Sequence, residues 1–81
     1  MKFVYLLKSI HSKIYYVGMT QDLENRLKEH NAGKSKFTKG HLPWVLIYHE
    51  SFNDWTSARK REKYFKSAAG KNWLRKENII D

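Results

Sequence analysis

The stretch Phe3-Val4-Tyr5-Leu6-Leu7-Lys8-Ser9-Ile10-His11-Ser12-Lys13-Ile14-Tyr15-Tyr16-Val17-Gly18 decides the fold. Its two ends, Phe3-Val4-Tyr5 and Tyr15-Tyr16-Val17-Gly18, carry aromatic and β-branched residues with period-two apolar character, and the link Ser9-Ile10-His11-Ser12 is short enough for antiparallel pairing. The stretch therefore reads as a β-hairpin. A turn centred between Ile10 and His11 sets Ser9 opposite Ser12, Lys8 opposite Lys13 and, counting outward, Tyr5 opposite Tyr16. Directly opposed residues hold their Cβ atoms about 4.5–5.5 Å apart. An aromatic cross-strand pair stabilises a sheet without any further role. The tyrosines gain chemical meaning only from what the rest of the chain brings to them.

With 81 residues, the chain is expected to form one small domain spanning 1–81, near the size at which folding buries only about 60 % of the unfolded surface. Three Trp, five Tyr and four Phe compensate through the large area each ring buries. No cysteine is present, which excludes disulfides, thiolate zinc sites and cysteine nucleophiles. The first apolar run, Phe3 to Leu7, is too short for a signal-peptide core or a membrane span, so a cytoplasmic location without a membrane partner is expected. Sixteen Lys and Arg against eight acids leave a formal charge of +8, which favours polyanionic partners.

Beyond the hairpin, Gln21 to Asn31 reads as a helix, with Thr20 or Asp22 as cap, Leu23 and Leu27 as an apolar stripe, and Gly33 as the stop. At about 100° per residue, Leu23, Arg26, Leu27 and His30 share one face. Arg26 and His30 thus border the buried side. Two cationic groups at i,i+4 do not favour a helix, but Arg offers a fixed fork of donors to a phosphate and His exchanges a proton near neutral pH. As a purely surface residue, Arg26 would pair with Asp22 or Glu29. Lys34 to Leu42 is a basic loop; Lys34, Lys36, Thr38, Lys39 and His41 are its candidate nucleic-acid contacts.

Trp44 to Tyr48, after Pro43, is an apolar run that reads as the central strand, buried on both faces. Asp54 caps a second helix, Trp55 to Ser67, on which Trp55, Ala58, Phe65 and Ala69 cluster. Glu62 falls about 40° from Ala58, inside that stripe. A carboxylate there is costly unless Arg26, Arg61 or a metal satisfies it. A last helix from Gly70 or Lys71 to Asn78 covers the sheet with Trp73, Leu74, Ile79 and Ile80. Eight of the sixteen basic residues lie between Arg59 and Lys76, and Arg61, Lys66 and Lys71 among them are candidate phosphate contacts.

Taken together, Phe3-Val4-Tyr5, Tyr16-Val17-Gly18, Arg26 with His30, and Ala58-Arg59-Lys60-Arg61-Glu62 resemble the GIY-YIG nuclease superfamily, especially its small stand-alone bacterial members, related to the N-terminal nuclease module of the excision-repair incision subunit. The likeness covers nearly the whole chain. It implies an α+β fold, a small three-stranded antiparallel sheet flanked by three helices, and metal-dependent hydrolysis of phosphodiester bonds. Carried over by position, Tyr5 and Tyr16 are the motif tyrosines, Arg26 the phosphate-binding arginine, His30 the helical histidine and Glu62 the metal ligand. Three departures stand out: Phe3 replaces a motif Gly, Val17 replaces an Ile, and Met19 stands where some relatives carry Lys.

One carboxylate is enough for Mg²⁺ or Mn²⁺, since a hard cation keeps several waters and takes the remainder of its shell from substrate oxygens. A Tyr at its reference pKa of about 10 is a poor base at neutral pH, so nearby positive charge is expected to lower that of Tyr5. Tyr5 then accepts the proton of the attacking water, Tyr16 orients the water or phosphate, and His30 relays the proton. The substrate expected is DNA in preference to RNA, in branched, damaged or single-stranded form, as in repair or recombination. Many superfamily members add a DNA-targeting domain for which 81 residues leave no room, so target choice is expected from the basic surfaces, a homo-oligomer or a partner protein. The competing reading is a non-catalytic nucleic-acid-binding module that keeps the fold.

Overall fold

The computed structural model describes residues 1–81. They form β1 (Lys2–Ser9), β2 (Tyr15–Thr20), α1 (Leu23–Asn31), a turn of 3-10 helix (Thr38–His41), β3 (Trp44–Phe52), α2 (Trp55–Lys66) and α3 (Ala68–Lys76). The strands make one antiparallel sheet in the order β2-β1-β3. This is the α+β architecture expected: three strands and three helices.

The centre of the sheet is β1, not the Trp44–Tyr48 run. Val4, Tyr5, Leu6 and Leu7 are buried in succession, whereas β3 buries only Trp44 fully and exposes Val45, His49 and Ser51. Four consecutive buried residues mark a strand covered on both faces. Leu6 lies opposite Tyr48 and Leu7 opposite Leu46, so Ile47 is an extra residue that bulges β3.

The hairpin register also differs from the expected one. Tyr5 pairs with Gly18, and Tyr16 pairs with Leu7. The connection runs through Ile10 to Ile14, closed by the Ser9 N–H donating to the Ile14 carbonyl at 2.8 Å, with Lys13 at φ 54°. Relative to a turn centred on Ile10 and His11, Tyr5 moves two residues along β2. Side chains alternate with period two, so a two-residue slip preserves the face. Tyr5 and Tyr16 remain on one side as diagonal neighbours, their ring centroids 6.3 Å apart.

Alternation gives the sheet two differently covered faces. Val4 and Leu6 pack with Ala58, Phe65 and Leu74 of α2 and α3, with Ile79 and Ile80 against them as expected. Tyr5, Leu7 and Trp44 form the other core, with Tyr16 and with Leu23 and Leu27 of α1. Asp22 caps α1, accepting from the Asn25 N–H, and Gly33 follows its end at φ 77°. Asn31 fastens that end to β3: its side chain accepts from the Trp44 N–H at 2.7 Å and donates to the Trp44 carbonyl at 3.0 Å. On the other face, Ser67 ends α2 and caps α3 directly, accepting from the Gly70 N–H. α3 therefore starts earlier than expected, and Ala69 lies on it, exposed, instead of extending the α2 stripe. Trp55 is also 40 % exposed.

Gly18 is what the register makes necessary. A Cβ built there would stand 2.5 Å from the Tyr5 hydroxyl oxygen, 2.6 Å from Tyr5 Cζ and 3.0 Å from Tyr16 Cε2. The Tyr5 ring occupies the space that any other residue would fill. Gly18→Ala should therefore cost about 1–3 kcal/mol in urea unfolding through overpacking, and should displace the Tyr5 hydroxyl. Gly40→Ala, where an added Cβ meets nothing within 4 Å, should leave stability within about 0.5 kcal/mol. Equal effects at the two positions would refute the steric argument.

Candidate active site

Four of the five expected site residues come together on the α1 face. The Tyr5 hydroxyl lies 2.9 Å from His30 Nε2 and accepts a longer contact, 3.4 Å, from Arg26 Nε. Tyr16 packs its ring edge-on against His30, centroid to centroid 5.0 Å. The i,i+4 spacing of Arg26 and His30 produces this directly, because both project from one side of α1 onto the sheet.

Behind His30 stands a residue whose expected role does not fit its position. Thr38 is wholly buried, and its Oγ1 lies 2.8 Å from His30 Nδ1. Its carbonyl accepts from Trp44 Nε1 at 2.8 Å. A nucleic acid does not reach this hydroxyl, which instead orients the imidazole. With Nδ1–H donating to Thr38, Nε2 accepts from Tyr5; in the other tautomer the Thr38 hydroxyl donates to Nδ1 and Nε2–H donates to the Tyr5 oxygen. A protonated His30 would donate at both ends, and Thr38 can accept in either state. Nothing in the sequence distinguishes Thr38 from its neighbours; only the fold of the loop turns it inward.

Electrostatics depart from expectation at Tyr5. Burial pushes its phenol up to about 12, and the hydrogen bond from Arg26 does not offset it; Tyr16 adds to the rise. A buried phenolate loses more hydration than one cation restores. His30 is held below its ordinary 6.5 by burial and then by the Arg26 charge, against the opposing pull of Glu29. At neutral pH the pair is therefore a neutral phenol beside a neutral imidazole. Burial disfavours the Arg26 cation, but its bonds to Tyr5 and Glu29 outweigh this and raise its pKa. Arg26 pairs with Glu29 through Nη1 at 3.0 Å, its side chain 33 % exposed, and the remaining N–H donors of its fork are free for an anion.

Glu62 stands apart from this group. It projects from α2, the layer on the opposite face of the sheet, and makes no hydrogen bond or ion pair with Tyr5, Tyr16, Arg26 or His30. Neither arginine satisfies it; its Oε2 accepts from Lys66 Nζ at 3.2 Å, with the Glu62 side chain 16 % exposed. Arg61 is committed elsewhere, donating from Nε and Nη2 to the two Glu50 oxygens at 2.8 and 3.1 Å. Its guanidinium lies 4.6 Å from the Phe65 ring centroid and 4.7 Å from that of Trp73. Such a bidentate, ring-stacked arginine is a fastening between β3, α2 and α3. The Glu50 carboxyl is pulled below its ordinary value by Arg61 and Tyr48, although burial opposes this. Lys34, Lys36, Lys39 and Lys71 are exposed and unpaired, while His41 Nδ1 is 3.0 Å from Ser12 Oγ.

His30 links the site to stability. Folding holds it neutral, whereas the unfolded chain takes a proton at about the ordinary value, so stability is retained above pH 6.5 and lost as pH falls below it. The loss should be read as a urea midpoint that falls with pH below 6.5, and the fall should be smaller in His30→Gln. Thr38→Val strands Nδ1 and should cost about 1–3 kcal/mol at neutral pH, with Thr38→Ser restoring most of it. An unchanged midpoint in Thr38→Val would show that the bond carries nothing.

Comparison with known proteins places the chain in a family. Residues 1–78 match the family described as the GIY-YIG catalytic domain. The chain is 42 % identical over 67 residues to a UPF0213 protein of Clostridium perfringens, covering 82 % of this chain and 71 % of that one. It is 40 % identical over 79 residues to a UPF0213 protein of Bacillus pumilus, covering 96 % and 74 %. The solution NMR structure of a UPF0213 protein from Bacillus halodurans superposes with a TM-score of 0.55 at 31 % identity, covering 94 % of this chain and 84 % of that one. By sequence and by fold, the chain belongs to the GIY-YIG family and, within it, to the small UPF0213 group.

Proposed function

We propose that the protein is a divalent-metal-dependent nuclease that hydrolyses phosphodiester bonds, with DNA as its substrate. GIY-YIG domains form a nuclease superfamily. The observation that carries the reading to this chain is the hydrogen-bonded run Thr38–His30–Tyr5–Arg26. It sets a proton acceptor, a phenol and a phosphate-sized cation within hydrogen-bond reach of one another.

The donor set at Glu62 fits a hard cation. Oε2 meets Lys66 while Oε1 has no protein partner, and no group of three or more His, Cys, Asp or Glu side chains stands together, so water and substrate would complete the shell. Glu62 would hold the Mg²⁺ or Mn²⁺, which supplies Lewis-acid stabilisation of the leaving oxygen. Arg26 receives the scissile phosphate on the free edge of its fork and balances the charge that builds on its oxygens. Tyr16 is half-buried, and its hydroxyl has no protein partner. It meets the water or phosphate first.

Tyr5 does not act from a standing phenolate. As it accepts the proton of the attacking water, its own proton passes to His30 Nε2, so that the charge ends on the imidazole and no free phenolate forms. Arg26 leaves Tyr5 as it turns to the phosphate, and that opens the hydroxyl to the water. The exposed Lys34, Lys36 and Lys39 hold the flanking backbone. The non-catalytic reading draws on one observation, that Glu62 is satisfied by Lys66 and not joined to the tyrosine cluster.

Incubation with plasmid, single-stranded and branched DNA, and with RNA, should give cleavage with Mg²⁺ or Mn²⁺ and none with chelator. Glu62→Ala should abolish the metal-dependent cleavage. Tyr5→Phe should lose about 10²- to 10⁴-fold, and Arg26→Lys, which keeps charge but not the fork, about 10²- to 10³-fold. Near-wild-type cleavage by Tyr5→Phe would remove Tyr5 from the proton path, and cleavage indifferent to chelation and to Glu62→Ala would remove the metal.

A further inference from the structure

A groove of about 550 Å³ opens along the outer side of β2, between that strand and the α2–α3 layer. Tyr16 belongs to both it and the candidate site, packing on His30 and Tyr5 while lining the groove. Lys66, the partner of Glu62, lines it from the other side. The groove thus touches one member of the tyrosine cluster and the ion-pair partner of Glu62.

Its walls combine two chemistries. Ile14, Leu74 and Ile80 make an apolar floor, and Phe37 forms the lip. Phe37 is 56 % exposed and stacks on Tyr16 with centroids 5.9 Å apart and planes at 29°. A large ring left in water beside a second ring offers a face to a flat aromatic ligand. Along the helical rim stand Lys66, Lys71 and Arg75. Lys71 has no ion pair, and Arg75 bonds only to the Asn72 side-chain oxygen and the Asp81 carbonyl. The one carboxylate in the lining, Asp81, is engaged by Lys8 at 3.7 Å and by Tyr15.

An apolar peptide would use the floor and waste the cations, and a duplex would use the cations and keep its base faces stacked within itself. A strand with unpaired bases uses both. We propose that this groove is the subsite for an unpaired nucleotide of a single-stranded nucleic acid, its base on the Phe37–Tyr16 platform and its phosphates along Lys66, Lys71 and Arg75. The inference rests on the nuclease reading for its place beside the scissile phosphate, and on the groove alone for the binding.

The test separates the two. Fluorescence anisotropy in chelator, with no cleavage, compares short oligo-dT and oligo-U with a duplex of equal length. Single strands should bind at least about tenfold tighter, and Phe37→Ala should weaken them about 5- to 100-fold, the worth of one stacked base, collapsing the preference over duplex. Lys71→Ala should lower the slope of log affinity against log salt by about 1. Oligo-dT should shift the backbone amides of Tyr16, Phe37, Lys71 and Leu74 in the protein's NMR spectrum. Equal binding of duplex and single strand, indifferent to Phe37→Ala, overturns the proposal; so does a dimer in sedimentation that Phe37→Ala dissolves, which would make a second copy the occupant. Single-strand binding as expected but without cleavage of any substrate under Mg²⁺ or Mn²⁺ upholds the groove and overturns the nuclease reading instead.

Discussion

The structure turns on one buried phenol. Tyr5 sits on the central strand, 2 % exposed, with its ring laid over Gly18 and its hydroxyl between His30 and Arg26. A buried hydroxyl without partners would cost about 1–3 kcal/mol, so its position dictates what surrounds it: a glycine opposite, an imidazole from α1, and a threonine behind the imidazole to satisfy its second nitrogen. No buried side-chain polar atom is left without a partner. The chain of requirements runs from β2 through α1 into the loop before β3, three consecutive segments that all converge on the central strand.

The sheet also divides the labour. The face bearing Tyr5 and Leu7 carries the hydrogen-bonded Tyr5, His30 and Arg26, and the face bearing Val4 and Leu6 carries the larger apolar core with α2 and α3. Arg61 belongs to that second side. Paired bidentate with Glu50 and stacked on Phe65 and Trp73, it fixes the rotation of α2 about its axis and with it the direction of its neighbour Glu62. Arg26 and His30 therefore stand on one face of the sheet and Glu62 on the helix layer that covers the other. β2 is an edge strand, paired only to β1.

Burial also changes what the tyrosine can do. A positive neighbour lowers a phenol's pKa in water, but at Tyr5 the loss of hydration dominates and pushes it up to about 12. Proton acceptance then depends on His30, whose own pKa the same burial lowers. The two shifts act together: each keeps its group neutral in the resting protein.

Much of this is legible in the chain. Strands, helices and caps follow from local periodicity and from Asp22, Asp54 and Gly33. The inward edge of α1 follows from helical spacing alone, which is why the sequence suffices to place Arg26 and His30 there. What it does not reveal is set by packing between segments and by backbone conformations that residue type does not signal. β1 and β3 both read as apolar runs, and only the packing of helices on both faces decides which lies in the middle. Hairpin register depends on a five-residue connection with Lys13 at positive φ, a conformation that a lysine does not advertise. Thr38 reads as a loop hydroxyl like any other until the fold turns it onto His30. Glu62 lies at the edge of an apolar stripe, as helical spacing requires, but its partner is Lys66 on its own helix, because Glu50 across the sheet claims Arg61. Local sequence determined each element and the face it presents, since those depend on bonds and spacings within a few residues. Which charged and polar groups meet was decided only in the tertiary structure, where several partners of the same chemistry compete and geometry alone selects among them.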